Sequence, residues 1–297
     1  MSDNKSDKSP DKITLSYSSA NLIKNCEMKY YLYKVKGVAK DADSSDNEDA
    51  FNVGKAFHWI LETNNHTEDR LVELLNAAVK TYEVESYTAM IHAMILRYLQ
   101  VHYKSGLEVV HCEFAMENDE FLGFIDAIMI DPSNQEWWIV DLKTASRFST
   151  IKAAMMHSDV QLNLYASFAH EIAQHFNLDL DKFAGVRYRT TEKSRLKRKA
   201  SESYDEFVRR MASSIVSYDI IVRAERLDPQ AIYSQHKDLR EKALQFHNNE
   251  QFPTKNLSYC DAFFRPCEYF SQCHGKTYSE LKDSIEMITS DNFKGLE

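Results

Sequence analysis

Two apolar runs, FLGFIDAIMI at 121–130 and EWWIVDLKT at 136–144, each carry a carboxylate where a sheet would bury it, and only DPSNQ separates them. Runs this short, rich in Ile, Val, Trp and Phe and joined by turn-forming residues, read as adjacent antiparallel strands. A connection from Asp131 to Glu136 sets Ile130 opposite Trp137, and stepping inward along both strands brings Asp126 opposite Asp141. Directly opposed side chains have Cβ atoms about 5 Å apart. At that spacing two carboxylates repel one another unless a divalent cation lies between them. Side chains alternate, so Lys143 shares a face with Asp141 while Val140 and Leu142 point the other way. Three polar groups thus gather on one otherwise apolar surface.

The flanking pattern surrounds these strands with helices. Another β-rich run, LEVVHCEF, precedes them, and a further strand is expected near FAGVRYRT. Leu22, Ile23 and Cys26 suit a short helix capped by Ser18 or Ser19, and AFNVGKAFHWILE spaces Phe51, Gly54, His58 and Leu61 three or four apart. Two amphipathic helices are predicted within 66–104, more helix at roughly 150–176, and two helices after the last strand. The order predicts an α/β fold, a short sheet flanked by helices with a helical cap.

With 43% hydrophobic residues and only 7 Gly and 5 Pro in 297, the chain can bury a sizeable core and shows no repeat. Residues 1–12 read as a disordered polar tail without the apolar stretch of a signal peptide, and nothing is apolar enough for a membrane span. A cytoplasmic location, no membrane partner and a C-terminal tail or helix over 276–297 are the expectations. The net charge of −9 means that a polyanion must be met by a local basic patch or by metal ions.

Asp-x14-Asp-x-Lys resembles the PD-(D/E)xK nuclease superfamily. The surrounding residues are similar to its RecB-like branch, which includes phage and CRISPR-associated exonucleases. Gly54 and His58 match that branch's Gly-x-x-x-His, and Gln161 and Tyr165 its Gln-x-x-x-Tyr, so the motifs fall in family order across roughly 14–275. The resemblance implies a restriction-endonuclease-like core with a mixed sheet, one nuclease domain over 13–275, and a metal-dependent DNA exonuclease acting on free ends in replication, recombination or repair. It implies His58, Asp126, Asp141 and the Leu142 carbonyl as ligands of Mg2+ or Mn2+. Lys143 would orient the attacking water or stabilise developing charge, and Gln161 and Tyr165 would hold the nucleotide or steady Lys143. Glu113 would stand behind them as an accessory carboxylate.

Other readings of the same residues exist. The aspartates could pair with Lys143, His58 could be a satisfied core histidine beside Trp59, and Gln161 and Tyr165 could be ordinary helix surface. A catalytically inactive nucleic-acid-binding adaptor would keep the fold, but it has no need for a lysine beside paired carboxylates.

The one strongly basic stretch, VRYRTTEKSRLKRK at 186–199, offers Arg187, Arg189, Arg195, Lys197, Arg198 and Lys199 to DNA phosphates, with Tyr188 able to stack; a solvated loop is the alternative. Gly275-Lys276-Thr277 lacks the first glycine of a P-loop, so a motor such as a helicase, like a recombinase or annealing partner, would be a separate chain.

Five cysteines are an odd number, and a reducing compartment disfavours a disulfide framework. Cys26 with Cys260, Cys267 and Cys273 resembles the one-plus-three layout of the cluster-bearing RecB-like nucleases, which implies a [4Fe-4S] cluster joining the N- and C-terminal segments. Relatives commonly show C-x2-C-x5-C, so the six-residue first gap here makes Cys260 the ligand that departs from the pattern. A structural Zn2+ on the same thiolates and free buried thiols are the alternatives. Cys112 reads as an inert strand residue.

Overall fold

The computed structural model describes residues 12–41, 48–63, 68–147, 149–260, 266–277 and 280. Nearly all of the tails expected at 1–12 and 276–297 therefore lies outside the described residues, as does most of the acidic stretch at 41–49. The chain forms two compact units, one drawing on residues within Met1–Ile13, Ser18–Asp46 and Leu239–Glu297, the other on Thr14–Tyr17 and Asn47–Asp238.

In chain order the elements are β1 (Leu15–Ser16), α1 (Tyr17–Asn25), α2 (Glu27–Tyr30) running into a π-helical turn at Tyr31–Val35, α3 (Glu48–Glu62), α4 (Glu68–Thr81) and α5 (Thr88–His102). Then come β2 (Glu108–Glu117), β3 (Phe121–Ile130), β4 (Trp137–Ala145), α6 (Thr150–Ala154), α7 (Val160–Ala166), α8 (Ala169–Phe176) and β5 (Phe183–Glu192). The chain continues through α9 (Tyr204–Ser214), β6 (Ser217–Arg223), α10 (Pro229–His247) and α11 (Phe270–His274). Because α1 starts at Tyr17, directly after β1, Ser18 and Ser19 lie inside it and do not cap it.

The second unit holds a six-stranded mixed sheet in the order β1-β3-β4-β5-β6, with β2 also on β3. β4 and β5 run parallel, which requires the helical crossover α6–α8 between them. The β4 sequence WWIV is continuously apolar because both faces of the sheet are covered. Trp138, Val140 and Leu142 pack with α3, α4, α5 and α9, while Trp137 and Ile139 pack with α7 and α8. β1 and β6 were not expected from the sequence: β1 is two residues long, and β6 interrupts what reads as two successive helices.

In the other unit, N-terminal and C-terminal segments interlock. The Glu27 carboxylate accepts from Lys242 Nζ at 2.6 Å and from the Thr254 backbone at 2.9 Å, and the Tyr30 ring lies 6.4 Å from Phe246.

Candidate active site

The hairpin register is the one that the turn length dictates: Ile130 pairs with Trp137, Met129 with Trp138, Ile128 with Ile139 and Ala127 with Val140. There the ladder stops, one step short of Asp126 and Asp141. Direct opposition of the two aspartates is therefore corrected to a fork in which β3 and β4 part. Side-chain alternation also breaks at this point, since Ile125 and Ile128 share one core while Ala127 and Met129 share the other. On the far side of β3 the ladder with β2 skips from Cys112–Ala127 to Phe114–Ile125, and Glu113 between them has φ +52°. Two changes of backbone direction thus coincide at Asp126.

Beyond the fork, β1 takes up β3 at Phe121 and Leu122. The intervening backbone finds other partners. Leu142 N–H donates to Asp126 Oδ2 at 2.5 Å, and Tyr165 Oη donates to the Phe124 carbonyl at 2.7 Å. Gln161 Nε2 in turn donates to Tyr165 Oη at 2.6 Å. Tyr165 is 4% exposed and braces the open edge of β3.

Into this fork α3 brings His58, whose Nδ1 lies 3.3 Å from Asp126 Oδ1. Gly54 lets α3 come this close: a Cβ there would stand 3.3 Å from Thr144 Oγ1, next to Lys143. Burial disfavours both charges of the His58–Asp126 pair, yet their mutual hydrogen bond and attraction win, raising the imidazolium and holding the carboxyl below its ordinary range. Asp141 is 1% exposed, and Lys143 Nζ donates to its Oδ1 at 2.8 Å. Burial, helped by the Asp126 charge, pushes the Asp141 carboxyl up to about 6 despite Lys143. Burial would lower Lys143, but the Asp141 and Asp126 carboxylates outweigh it and keep the ammonium charged.

Asp141 Oδ2 is buried and accepts no hydrogen bond. Leaving such an atom bare costs about 1–3 kcal/mol, more for a charged group. An oxygen in this state beside Asp126 and an imidazole is a donor set that suits a hard divalent cation. Among the described residues no three His, Cys, Asp or Glu side chains form a group that could by itself hold a metal ion.

The sequence reading missed Glu62. It lies one helical turn beyond His58 and shares a hydrogen bond with Glu113, which loss of hydration and the Glu62 charge push up to about 7. Its i+4 spacing from His58 was the signal available. Cys112 is raised to about 11 by burial and by the neighbouring carboxylates, which fits an inert thiol.

The basic stretch divides. Arg187 and Arg189 are corrected from DNA contacts to structural ion pairs: both donate to Asp219, with Arg189 2% exposed and also bonded to Tyr98. Tyr188 is buried as well. Arg195, Lys197, Arg198 and Lys199 are exposed. In the other unit Cys26, Cys260, Cys267 and Cys273 line one small cavity together with Lys29 and Lys255, and His274 Nε2 lies 3.7 Å from Cys260 Sγ. Burial raises the Cys267 thiol, and raises Cys273 to about 11.

No helix among the described residues is long and apolar enough to cross a membrane. No curated protein matches the chain. Among solved structures, a protein from Eubacterium rectale named provisionally as an exonuclease aligns with 100% of this chain and 98% of its own at 14% identity and a TM-score of 0.50, which shows a shared fold. A second, SSO0001, covers 84% of this chain and 95% of its own at 15% identity, and its TM-score of 0.29 carries no argument. The profile of the PD-(D/E)XK nuclease superfamily matches residues 14–274, and with the Asp126, Asp141 and Lys143 fork inside that span the chain belongs to this superfamily.

Proposed function

We propose that the protein is a metal-dependent deoxyribonuclease that hydrolyses phosphodiester bonds at DNA ends, an exonuclease in preference to an endonuclease. The observation that carries this reading is the bare, buried Oδ2 of Asp141, set in a fork with Asp126, His58 and a charged Lys143. His58, Asp126 and Asp141 would hold Mg2+ or Mn2+. The Leu142 carbonyl joins them because it points to the same side as its N–H, which already faces Asp126. Such an ion, when bound, lowers the pKa of water and neutralises charge at phosphorus.

The chain's own groups do the rest. Lys143, anchored on Asp141, presents an ammonium to the phosphoryl oxygens, and an electrostatic donor of this kind is worth about 3–4 kcal/mol in comparable sites. Asp126 fixes the His58 ring, and Gln161 and Tyr165 fix the edge of β3 from which Asp126 projects.

The cysteine cavity supports a second metal centre, a [4Fe-4S] cluster or a structural Zn2+ on Cys26, Cys260, Cys267 and Cys273. The Cys267 and Cys273 thiols, raised by burial, stay protonated until a metal displaces the proton, and Lys29 and Lys255 line the same cavity. Anaerobically purified protein is expected to be brown with a broad visible absorption that Cys26→Ala removes. A colourless preparation holding zinc assigns the site to Zn2+, and one holding no metal refutes it.

The nuclease reading is tested on linear and circular DNA labelled at either end. Wild-type protein with Mg2+ or Mn2+ should shorten linear DNA from an end and spare circles, and folded Lys143→Ala should do neither. Wild-type rates in Lys143→Ala refute the site, nicked circles replace exonuclease by endonuclease, and binding without cleavage makes the protein an adaptor.

A further inference from the structure

On α3 the residues Phe51, Lys55, His58 and Glu62 fall at intervals of four, three and four and so share one face. The opposite face, with Val53, Ala56, Phe57, Ile60 and Leu61, is buried in the core. Phe51, two turns ahead of His58, is 65% exposed. Beside it opens a cleft of about 560 Å3 that Phe51, Lys55, His58, Lys143, Thr144 and Lys193 help to line, with Glu62 the acidic member of the lining. Lys55 Nζ stands 4.3 Å from the centre of the Phe51 ring, and Lys193 Nζ donates to the Ala50 carbonyl at 2.5 Å, which holds the end of β5 against the start of α3.

This cleft joins an aromatic face to three ammonium groups, one of them Lys143 itself. A chain of net charge −9 gains nothing in solubility from gathering lysines around an exposed ring. An apolar protein partner would meet charge around the ring, whereas a nucleotide offers both a π-face for the ring and a phosphate for the ammonium groups. Resting on the nuclease reading above, we propose that the cleft is the subsite for the nucleotide adjoining the scissile phosphate, its base stacked on Phe51 and its flanking phosphate held by Lys55 and Lys193. The subsite is sequence-tolerant, since every base has a π-face. Placing the base two helical turns from His58 also sets which phosphate reaches the fork.

Base stacking is worth about 1–3 kcal/mol, or roughly 5- to 150-fold in affinity. The test compares wild-type, Phe51→Ala and Phe51→Tyr on an oligonucleotide and on versions with an abasic residue at each terminal position in turn. Cleavage is read with Mn2+ and binding by fluorescence anisotropy in EDTA. Phe51→Ala is expected to raise KM and Kd about tenfold with the loss in KM and not in kcat, and Phe51→Tyr to restore both. At one position the abasic residue should weaken wild-type binding and leave Phe51→Ala binding unchanged, because the ring and the base are two halves of one contact.

An unchanged KM and Kd in Phe51→Ala, or an abasic penalty of equal size in wild type and variant, overturns the subsite. If wild-type protein cleaves nothing, the nuclease reading falls, while the anisotropy comparison still decides whether Phe51 stacks on a base.

Discussion

Gly54 shows how one residue can matter more to chemistry than to stability. Alanine is favoured over glycine in a helix by about 1 kcal/mol, but here its Cβ would press on Thr144 Oγ1 at 3.3 Å. The two effects oppose each other, so Gly54→Ala should change unfolding free energy by less than about 1 kcal/mol while displacing α3 and its His58 from Asp126. Cleavage is expected to fall at least tenfold, and adding Thr144→Ala should recover part of it. Equal activity in Gly54→Ala and wild type would show that the close approach is incidental. At this scale the sequence was informative where spacing carried the signal, as with Gly54, His58, Asp126, Asp141 and Lys143. It marked Glu62 only by its spacing from His58, since the partner Glu113 is far away in sequence, and it was misleading on Arg189, because a formula charge does not reveal that Asp219 waits thirty residues on to neutralise it.

Asp219 belongs to β6, the strand that reads as helix in the sequence, and it ties β6 to β5. Burial would raise its carboxyl, but hydrogen bonds from His102 and Arg187 and the Arg189 charge hold it well below the ordinary range. For a depressed acid, the stabilisation is fully present above the unfolded-state value near about 3.9 and disappears as pH falls through the lower folded value. Asp219→Asn leaves Arg189 buried without its counter-charge and should cost about 3–5 kcal/mol at pH 7. In urea melts the gap between variant and wild type should narrow as the pH is taken below 3.9. A gap that stays constant into strong acid would mean that the loss is one of packing.

Tyr165→Phe tests the neighbouring element, the open edge of β3. It should cost about 1–3 kcal/mol through the unsatisfied Phe124 carbonyl and lower cleavage by loosening Asp126, with substrate affinity unchanged. A pure affinity loss would return Tyr165 to contact with the nucleotide. The hairpin itself was legible because apolar runs and a turn fix a register. The fork was not, because neither a Gly nor a Pro marks it: the break rests on Glu113 adopting φ +52° opposite Asp126.

For the whole molecule, the unit built from the two chain ends and the unit built around the sheet have separate chemistry. The four cysteines lie in the first, and the fork, the α3 cleft and both hydrophobic clusters lie in the second. Loss of the cysteine centre should therefore lower the stability of the first unit before it touches the fork. Cys26→Ala is expected to unfold at lower urea concentration while the folded fraction retains metal-dependent cleavage, a split that parallel melting and activity curves would show. Coincident loss of both would mean that the fork depends on the cysteine centre.

In the proposed function the fork of β3 and β4 cleaves phosphodiester bonds with a cation held on Asp141. Its most direct measurement is the cleavage rate of linear DNA as a function of Mn2+ concentration, for wild type and for Asp141→Ala that retains the wild-type circular dichroism spectrum. Wild type should show a saturable rise and no cleavage in EDTA, and Asp141→Ala should show no cleavage at any Mn2+ concentration. Cleavage in EDTA, or a wild-type curve from Asp141→Ala, would contradict the proposed function.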